Sequence, residues 1–386
     1  MPRFTPLLLG LELSGTGTHP ASWRRADSRA EELFTPGYWV DALRAADSAG
    51  IDLAFISDSY AVRTGSGRIE PGATGQPDAG VLGGLDAVAI AARVAAVTER
   101  IGLLPQAPVT HTEPFHLSKA VASLDFASLG RAGWEVTVAG DGEAKLFGRK
   151  PEQDARDRWH EADEAIEVVR RLWDSWEDDA EIRDAPTGRF IDRDKLHYID
   201  FAGDNFSVKG PSITPRPPQG QPLVAVRAAD TPAARVAVHR ADIVRIAAAD
   251  LATAAAVRTE LRTAAAAAGR DPQQLRVLLD IDIHLAGTAD AAAGEVAELE
   301  DWFATPAPAT VFHIGTAVEL NELLRQVEID CAADGVVLRP LALPAVLEHL
   351  PLITPPTPGN ATPDALVPGL RGRLGLPRPA NRYATA

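Results

Sequence analysis

The sequence predicts an α/β fold, a TIM-type (β/α)8 barrel with an insertion and an extended C-terminal tail. Three observations carry that reading. Short β-rich runs alternate with longer stretches of helical periodicity almost throughout, the pattern of a parallel sheet with crossover helices. Eight such runs occur, which suits one closed barrel. The first run is followed by "GTGTHP" at Gly15, which lacks the Gly-x-Gly-x-x-Gly spacing expected of an open dinucleotide-binding sheet.

In chain order the strand candidates are "PLLLGLEL", "IDLAFIS", "IGLLPQAPV", "GWEVTVA", "PLVAVRA", "ADIVRIA", "RVLLDIDIHLAG" and "GVVLRPLAL". The first follows an ordinary N-terminus: His19-Pro20 and Trp23-Arg24-Arg25 come next where a signal peptide would carry its cleavage site. Between the strands, "PGYWVDALRAADSAG", "GLDAVAIAARVAAVTER", "EPFHLSKAVASLDFAS", "RDRWHEADEAIEVVRRLWDSW" and "LATAAAVRTELRTAAAAAGR" repeat apolar residues at helical spacing. Gly50, Gly102 and Gly269 fall near helix ends, where a left-handed cap is expected. Residues 177–221 are charged and then proline-rich, too long for a barrel connection, and are expected to form an insertion that acts as a lid over the strand C-termini. The barrel is thus assigned to residues 1–350. The Pro-, Gly- and Arg-rich stretch 351–386 is expected to be an extended tail wrapping its own barrel or a neighbour, or else disordered.

A net charge of −15 argues against a general attraction to nucleic acid or anionic membranes. No apolar run approaches the eighteen or so residues of a membrane span. The lone cysteine, Cys331, excludes an internal disulfide and fits a reducing cytoplasm.

In a barrel the chemistry lies where the strands end, which directs attention to His19, Asp58, Gln106, Glu135, Asp230, Thr231, His284 and Arg339. Glu135 is the oddest, a carboxylate between Trp134 and Val136 in a strand that wants burial, costly without a partner or ligand. Thr231-Pro232 opens a helix whose free N-terminus could take a phosphate, although Asp230 can satisfy the same amides as a cap. Asp58 could accept hydrogen bonds from a ligand's ring or sugar, or simply sit in a turn. Asp280, Asp282 and His284 share one strand face, and His111, Glu113 and His116 cluster in "HTEPFH". Both groups read more cheaply as rim packing and a helix start than as metal sites, and no metal is expected. Trp23 and Trp134 are expected to wall the mouth, with core packing the alternative for Trp134.

These stretches together resemble the luciferase-like flavin-dependent monooxygenases, in particular the nitrilotriacetate and dibenzothiophene-sulfone branch. The resemblance rests on "HPASWRR", "TPGYWVDALRAADSAGIDLAFISD", "AAVTERIGL", "EPFHLSKAVASLDFASLGRAGW", "RWHEADEAIEVVRRLWDSWEDDA", "GPSITPRPPQGQPLV" and "DGVVLRPLALP". It implies a TIM barrel that takes reduced FMN from a separate flavin reductase and oxygenates a small organic substrate, commonly as a homo-oligomer or beside a paralogous chain. By the same resemblance Asp58 is a flavin contact, and His19 and Trp23 lie toward the substrate, where its place beside a strand end also puts Trp134. Gln106 stands at a threonine position near the flavin ring, Glu135 at an asparagine position, Ala155 at a histidine and Trp159 at a tyrosine that reaches the phosphate. Ala229-Asp230-Thr231 replaces a Gly-x-Ser phosphate loop. So altered a set leaves a second reading, a noncatalytic partner subunit or ligand-binding barrel that has lost FMN. Glu135 and Asp230 would each repel a phosphate or reduced ring about 6 Å away by roughly 3 kcal/mol, unless Arg227 or Arg339 paired with Glu135.

Overall fold

The structure, a computed structural model, describes residues 7–60, 63–64, 67–68, 83–354 and 369–384. Eight parallel strands close a barrel: β1 (Leu8–Leu13), β2 (Leu53–Ile56), β3 (Gly102–Pro108), β4 (Gly133–Thr137), β5 (Leu223–Arg227), β6 (Ile243–Ile246), β7 (Arg276–Leu285) and β8 (Gly335–Pro340). Consecutive strands pair in parallel, and β1 closes the ring on β8. Helices α1 (Pro36–Ser48), α2 (Ala87–Ala95), α3 (Pro114–Ala127), α4 (Ala155–Asp174), α5 (Thr231–Arg240) and α6 (Leu251–Ala267) follow the first six strands. After β7 come α7 (Ala289–Trp302), an extra strand Val311–Gly315 paired to the outer half of β7, and α8 (Ala317–Ile329); α9 (Leu343–His349) follows β8. Neither α7, the extra strand nor α8 was anticipated. Asp86, Asp154, Asp250 and Thr288 cap their helices by accepting a backbone N–H two or three residues on, and Thr316 with Glu319 forms a reciprocal capping box.

The two-residue period of each strand divides its side chains between two layers. Leu9, Leu11 and Leu13 of β1, with Ala54, Leu103, Trp134 and Val136, face outward to the helices and form the main core. Leu8, Phe55, Leu104, Ala225, Leu278 and Val337 face inward and fill the lower barrel. Trp134 therefore does not wall the mouth: it is fully buried outside the barrel, its Nε1 donating to the Ala107 carbonyl, because its neighbour Glu135 takes the inward direction.

Leu370, Leu374 and Leu376 of the C-terminal segment join that inner cluster, so the described part of the tail plugs the N-terminal end of its own barrel. Gly102 is not a helix cap. It opens β3, and a Cβ there would lie 2.6 Å from the Leu370 side chain. Gly50 and Gly269 do adopt left-handed conformations at helix ends. Arg371 of the tail pairs with Asp242 at 3.0 Å, and Arg276 donates to the Leu374 carbonyl at 3.0 Å.

The 177–221 insertion joins the end of α4 to the start of β5, which puts its two ends at the N-terminal face of the strands, while Asp204 reaches along α4 to His160 at 3.0 Å. The insertion's anchors agree with that placement. Arg216 pairs with Asp174 at 3.0 Å, Gln219 binds Asp125 just beyond the middle of α3's last turns, and Ile199 and Val208 pack on Val168 and Leu172 of α4. Glu164 of α4 accepts the amides of Asp204 and Asn205, both at 2.8 Å. No described helix is long and apolar enough to cross a membrane.

Candidate active site at the barrel mouth

Inward-facing positions alternate along each strand, so the residue two beyond an inner leucine or alanine also faces in. In the uppermost layer those positions are charged or polar: Glu12 on β1, Gln106 on β3, Glu135 on β4, Arg227 on β5, Arg245 on β6, Asp280 and Asp282 on β7 and Arg339 on β8. Burying so many ions is tolerable only if they satisfy one another. Arg245, fully buried, is the hub. Its Nη1 meets Glu135 at 2.9 Å, its Nε meets Asp280 at 2.8 Å, its Nη2 contacts Glu12, and its guanidinium lies 4.7 Å from the centre of the Phe55 ring. Arg227 Nε holds the other oxygen of Asp280 at 2.9 Å, while Arg339 holds Asp282 at 2.7 Å and approaches Glu12 at 3.5 Å.

The two glutamates on Arg245 respond differently. Burial pushes Glu12 up, but Arg245, Arg339 and Arg227 outweigh it and hold the carboxyl at about 2. Glu135 is pushed up by burial, with Arg245 alone among the cations opposing it and with Glu12 and Asp280 adding repulsion. Burial likewise raises Asp282 against the pull of Arg339.

Glu135 thus has a partner, and it is Arg245, neither Arg227 nor Arg339. Gln106 is its second: Nε2 donates to Glu135 at 2.8 Å while Oε1 accepts the Asp58 amide at 3.0 Å. Gln106 and Glu135 form one hydrogen-bonded pair, and the carboxylate is turned into the layer. Arg245 and Glu12 escaped the sequence reading although they carry the signal that singled out Glu135, a lone charge inside an apolar strand in "ADIVRIA" and "LLLGLEL".

Above this layer lies the rim. Asp58 Oδ2 accepts the Ala87 amide at 3.0 Å, joining the end of β2 to the start of α2. His19 is buried, its Nδ1 accepting the Ala21 amide at 3.1 Å, which leaves the proton of the neutral ring on Nε2, 3.5 Å from Glu300. His284 Nε2 meets Glu295 at 2.8 Å, and Arg25 meets the same carboxylate at 2.9 Å. Burial lowers both histidines below their usual 6.5 despite their carboxylate partners, so both are neutral at pH 7. Trp23 is partly exposed in the single 3-10 turn Ser22–Arg24 that follows β1. Several buried polar atoms near the strand ends have no hydrogen-bond partner among the described residues: Thr137 Oγ1, both ring nitrogens of His111 and Nδ1 of His284.

Beside the mouth, a groove of about 1060 Å³ runs between α4 and α5, lined by Trp159, Thr231, Arg156 and Arg235 among others. Asp230 is the N-cap of α5, its carboxylate accepting the Ala233 amide at 2.8 Å. Arg156 and Arg235 are exposed and have no ion-pair partner among the described residues.

Of the two clusters weighed for metal, Asp280, Asp282 and His284 each meet a different ionic partner, whereas His111 stacks on Phe147 at 4.3 Å and Glu113 stands at the N-cap position of α3 without a side-chain cap hydrogen bond. Among the described residues one group could converge on an ion, His160, Glu164 and Asp204, but both Glu164 oxygens already accept backbone amides.

A family model described as luciferase-like monooxygenase matches residues 16–328. N-acetyl-S-(2-succino)cysteine monooxygenase of Bacillus subtilis is 34% identical over 76% of this chain and 64% of its own. Nitrilotriacetate monooxygenase component A of Aminobacter aminovorans is 34% identical over 74% of this chain and 63% of its own. The chain therefore spans a little under two thirds of the length of these relatives. A solved long-chain alkane monooxygenase superimposes with a TM-score of 0.84 over 96% of both chains at 18% identity, a likeness of fold.

Proposed function

The chain belongs to the luciferase-like monooxygenases, and from that premise we propose that it oxygenates a small organic substrate with reduced FMN supplied by a separate flavin reductase. The observation that carries this reading is the set of buried, unpartnered polar atoms at the strand C-termini, Thr137 Oγ1, the His111 ring and His284 Nδ1, beside a groove with two unpaired arginines. Buried polar atoms are normally satisfied, so such a set at the mouth calls for a ligand that brings donors and acceptors of its own. FMN fits this donor set, having a ring with a polar edge and a dianionic phosphate. Arg156, Arg235 and Thr231 would hold the phosphate beside Trp159, and Gln106, Thr137 and His111 would meet the ring.

Bound there, reduced FMN supplies the two electrons with which O2 gives one atom to the substrate and the other to water. The chain's own part is positioning and exclusion of water. Trp23 offers apolar surface, and neutral His19 directs its Nε2–H toward Glu300 as a positioned hydrogen-bond donor at the rim. Glu135 does not oppose this reading, because Arg245 neutralises it from within. Asp230 keeps its charge while capping α5, so Arg156 and Arg235 would have to offset it for a phosphate to sit there. The enzyme reading is preferred to the noncatalytic barrel because the curated relatives are themselves monooxygenases. One exposed free cysteine accords with a cytoplasmic setting.

The test is a reconstituted assay: the chain, FMN, a flavin reductase with its nicotinamide donor, isotopically labelled O2 and a panel of thioethers and amines bearing carboxylates. Label appearing in product only when the chain is present supports the reading. Flavin oxidation that yields hydrogen peroxide and no labelled product with any compound speaks against it.

A further inference from the structure

Of the three guanidiniums in the upper layer, Arg245 is sealed and fully engaged. Arg227 is not. It is the last residue of β5, its side chain is 38% exposed, and it spends only Nε, on Asp280. Both terminal nitrogens are without a partner among the described residues. The facing carboxylate is itself fully buried and bound at 2.8 Å by Arg245, and Arg227 meets its other oxygen as an ion pair. A planar fork paired at its back and free at its front is matched to two-point capture of a carboxylate. Arg339 repeats the arrangement on the far side of β7. Nη1 is anchored on Asp282 at 2.7 Å, and Nη2 has no partner among the described residues.

We propose that Arg227, assisted by Arg339, is the receptor for a carboxylate of the substrate, so that the site takes carboxylate-bearing small molecules. This names the substrate class of the oxygenase reading and rests on it. A consequence follows from charge. The layer sets Arg227, Arg245 and Arg339 against Glu12, Glu135, Asp280 and Asp282, three cations against four carboxylates. A fifth carboxylate is accommodated by a proton on Asp282, which faces Arg339, Asp280, Glu12 and Arg227, or on Glu135, which faces Arg245, Glu12, Asp280 and Gln106; burial already raises both acids. Capture therefore takes up a proton and tightens as pH falls.

Isothermal titration of the full chain with citrate, and with succinamide as the uncharged control, tests this at low ionic strength, two pH values and two buffers of different ionisation heat. FMN binding is followed separately by absorbance. Citrate binds, succinamide does not, binding tightens at the lower pH, and the buffer comparison shows proton uptake. Arg227→Gln, whose amide still reaches Asp280, weakens citrate at least tenfold and leaves FMN affinity unchanged. Arg227→Lys, which keeps the charge and loses the fork, falls between them. Citrate binding that is absent, or equal in Arg227→Gln and the unmodified chain, overturns the proposal. So does a loss of FMN affinity in Arg227→Gln, which assigns the fork to the cofactor. Citrate binding of the expected kind in a chain that never oxygenates supports the receptor and removes the oxygenase reading instead.

Discussion

Replacing Arg245 by methionine removes the only guanidinium among the described residues that touches Glu135 and one of two that meet Asp280, while nearly keeping the volume. Breaking a buried ion pair from one side costs about 3–5 kcal/mol because the other charge is left uncompensated, a large share of the roughly 5–15 kcal/mol that holds a domain folded. The loss depends on pH, and its sign can be worked out. Without Arg245 the folded-state pKa of Glu135, already raised by burial, rises further above its unfolded value. Folding then takes up protons. The variant is most stable below the ordinary carboxylate range and loses up to about 1.4 kcal/mol per pH unit for each such proton as the pH climbs through the raised value. Urea unfolding at pH 5 and pH 8 measures this directly. The expected result is a variant less stable than the unmodified chain by about 3 kcal/mol or more at pH 8 and by clearly less at pH 5. Adding Glu135→Gln to Arg245→Met should recover part of the loss. A cost below about 1 kcal/mol at pH 8, or one independent of pH, would refute the view of Arg245 as the charge that makes this layer tolerable.

Four further outcomes can be checked. Glu135→Asn should cost about 3 kcal/mol in chemical denaturation without raising FMN affinity, because it strands part of Arg245 rather than relieving a repulsion; a stable variant with tighter FMN would restore the repulsion argument. Leu370→Ala, at the plug of the barrel floor, should lower stability by about 2–5 kcal/mol, with a shift in thermal midpoint as the readout. Trimming residues 181–209 should destabilise the fold by exposing Val168 and Leu172, and should leave ligand access unchanged in stopped-flow binding. In the reconstituted enzyme, any acid limb due to His19 or His284 should fall below pH 6.5, visible in the pH profile of kcat/KM and altered by His19→Asn.

All eight barrel strands were legible because each is a short apolar run between turn signals, and buried parallel strands read as such runs. The extra strand Val311–Gly315 was not, since its partly exposed "VFHIG" lacks that apolar density and it is recruited by the long β7. The alternation that puts Trp134 outward and Glu135 inward was available from the two-residue period. Which cation would meet Glu135 was not, because Arg245 lies 110 residues away and only closure of the barrel brings them together. The insertion's ends lie where topology requires, since whatever joins a helix end to the next strand start departs from the N-terminal face; its reach along α4 to His160 has no signal in the sequence. The arginines flanking the α4–α5 groove carried no motif, and only the packing of the two helices places Arg156 beside Arg235.

The flavin site is tested most directly by anaerobic titration of the full chain with reduced FMN, read by flavin absorbance and fluorescence, alongside Arg235→Glu. Saturable binding at one site per chain, weakened strongly in Arg235→Glu at low ionic strength and little changed in Glu135→Gln, is the expected result. No binding of reduced or oxidised FMN, or binding indifferent to Arg235, would contradict it.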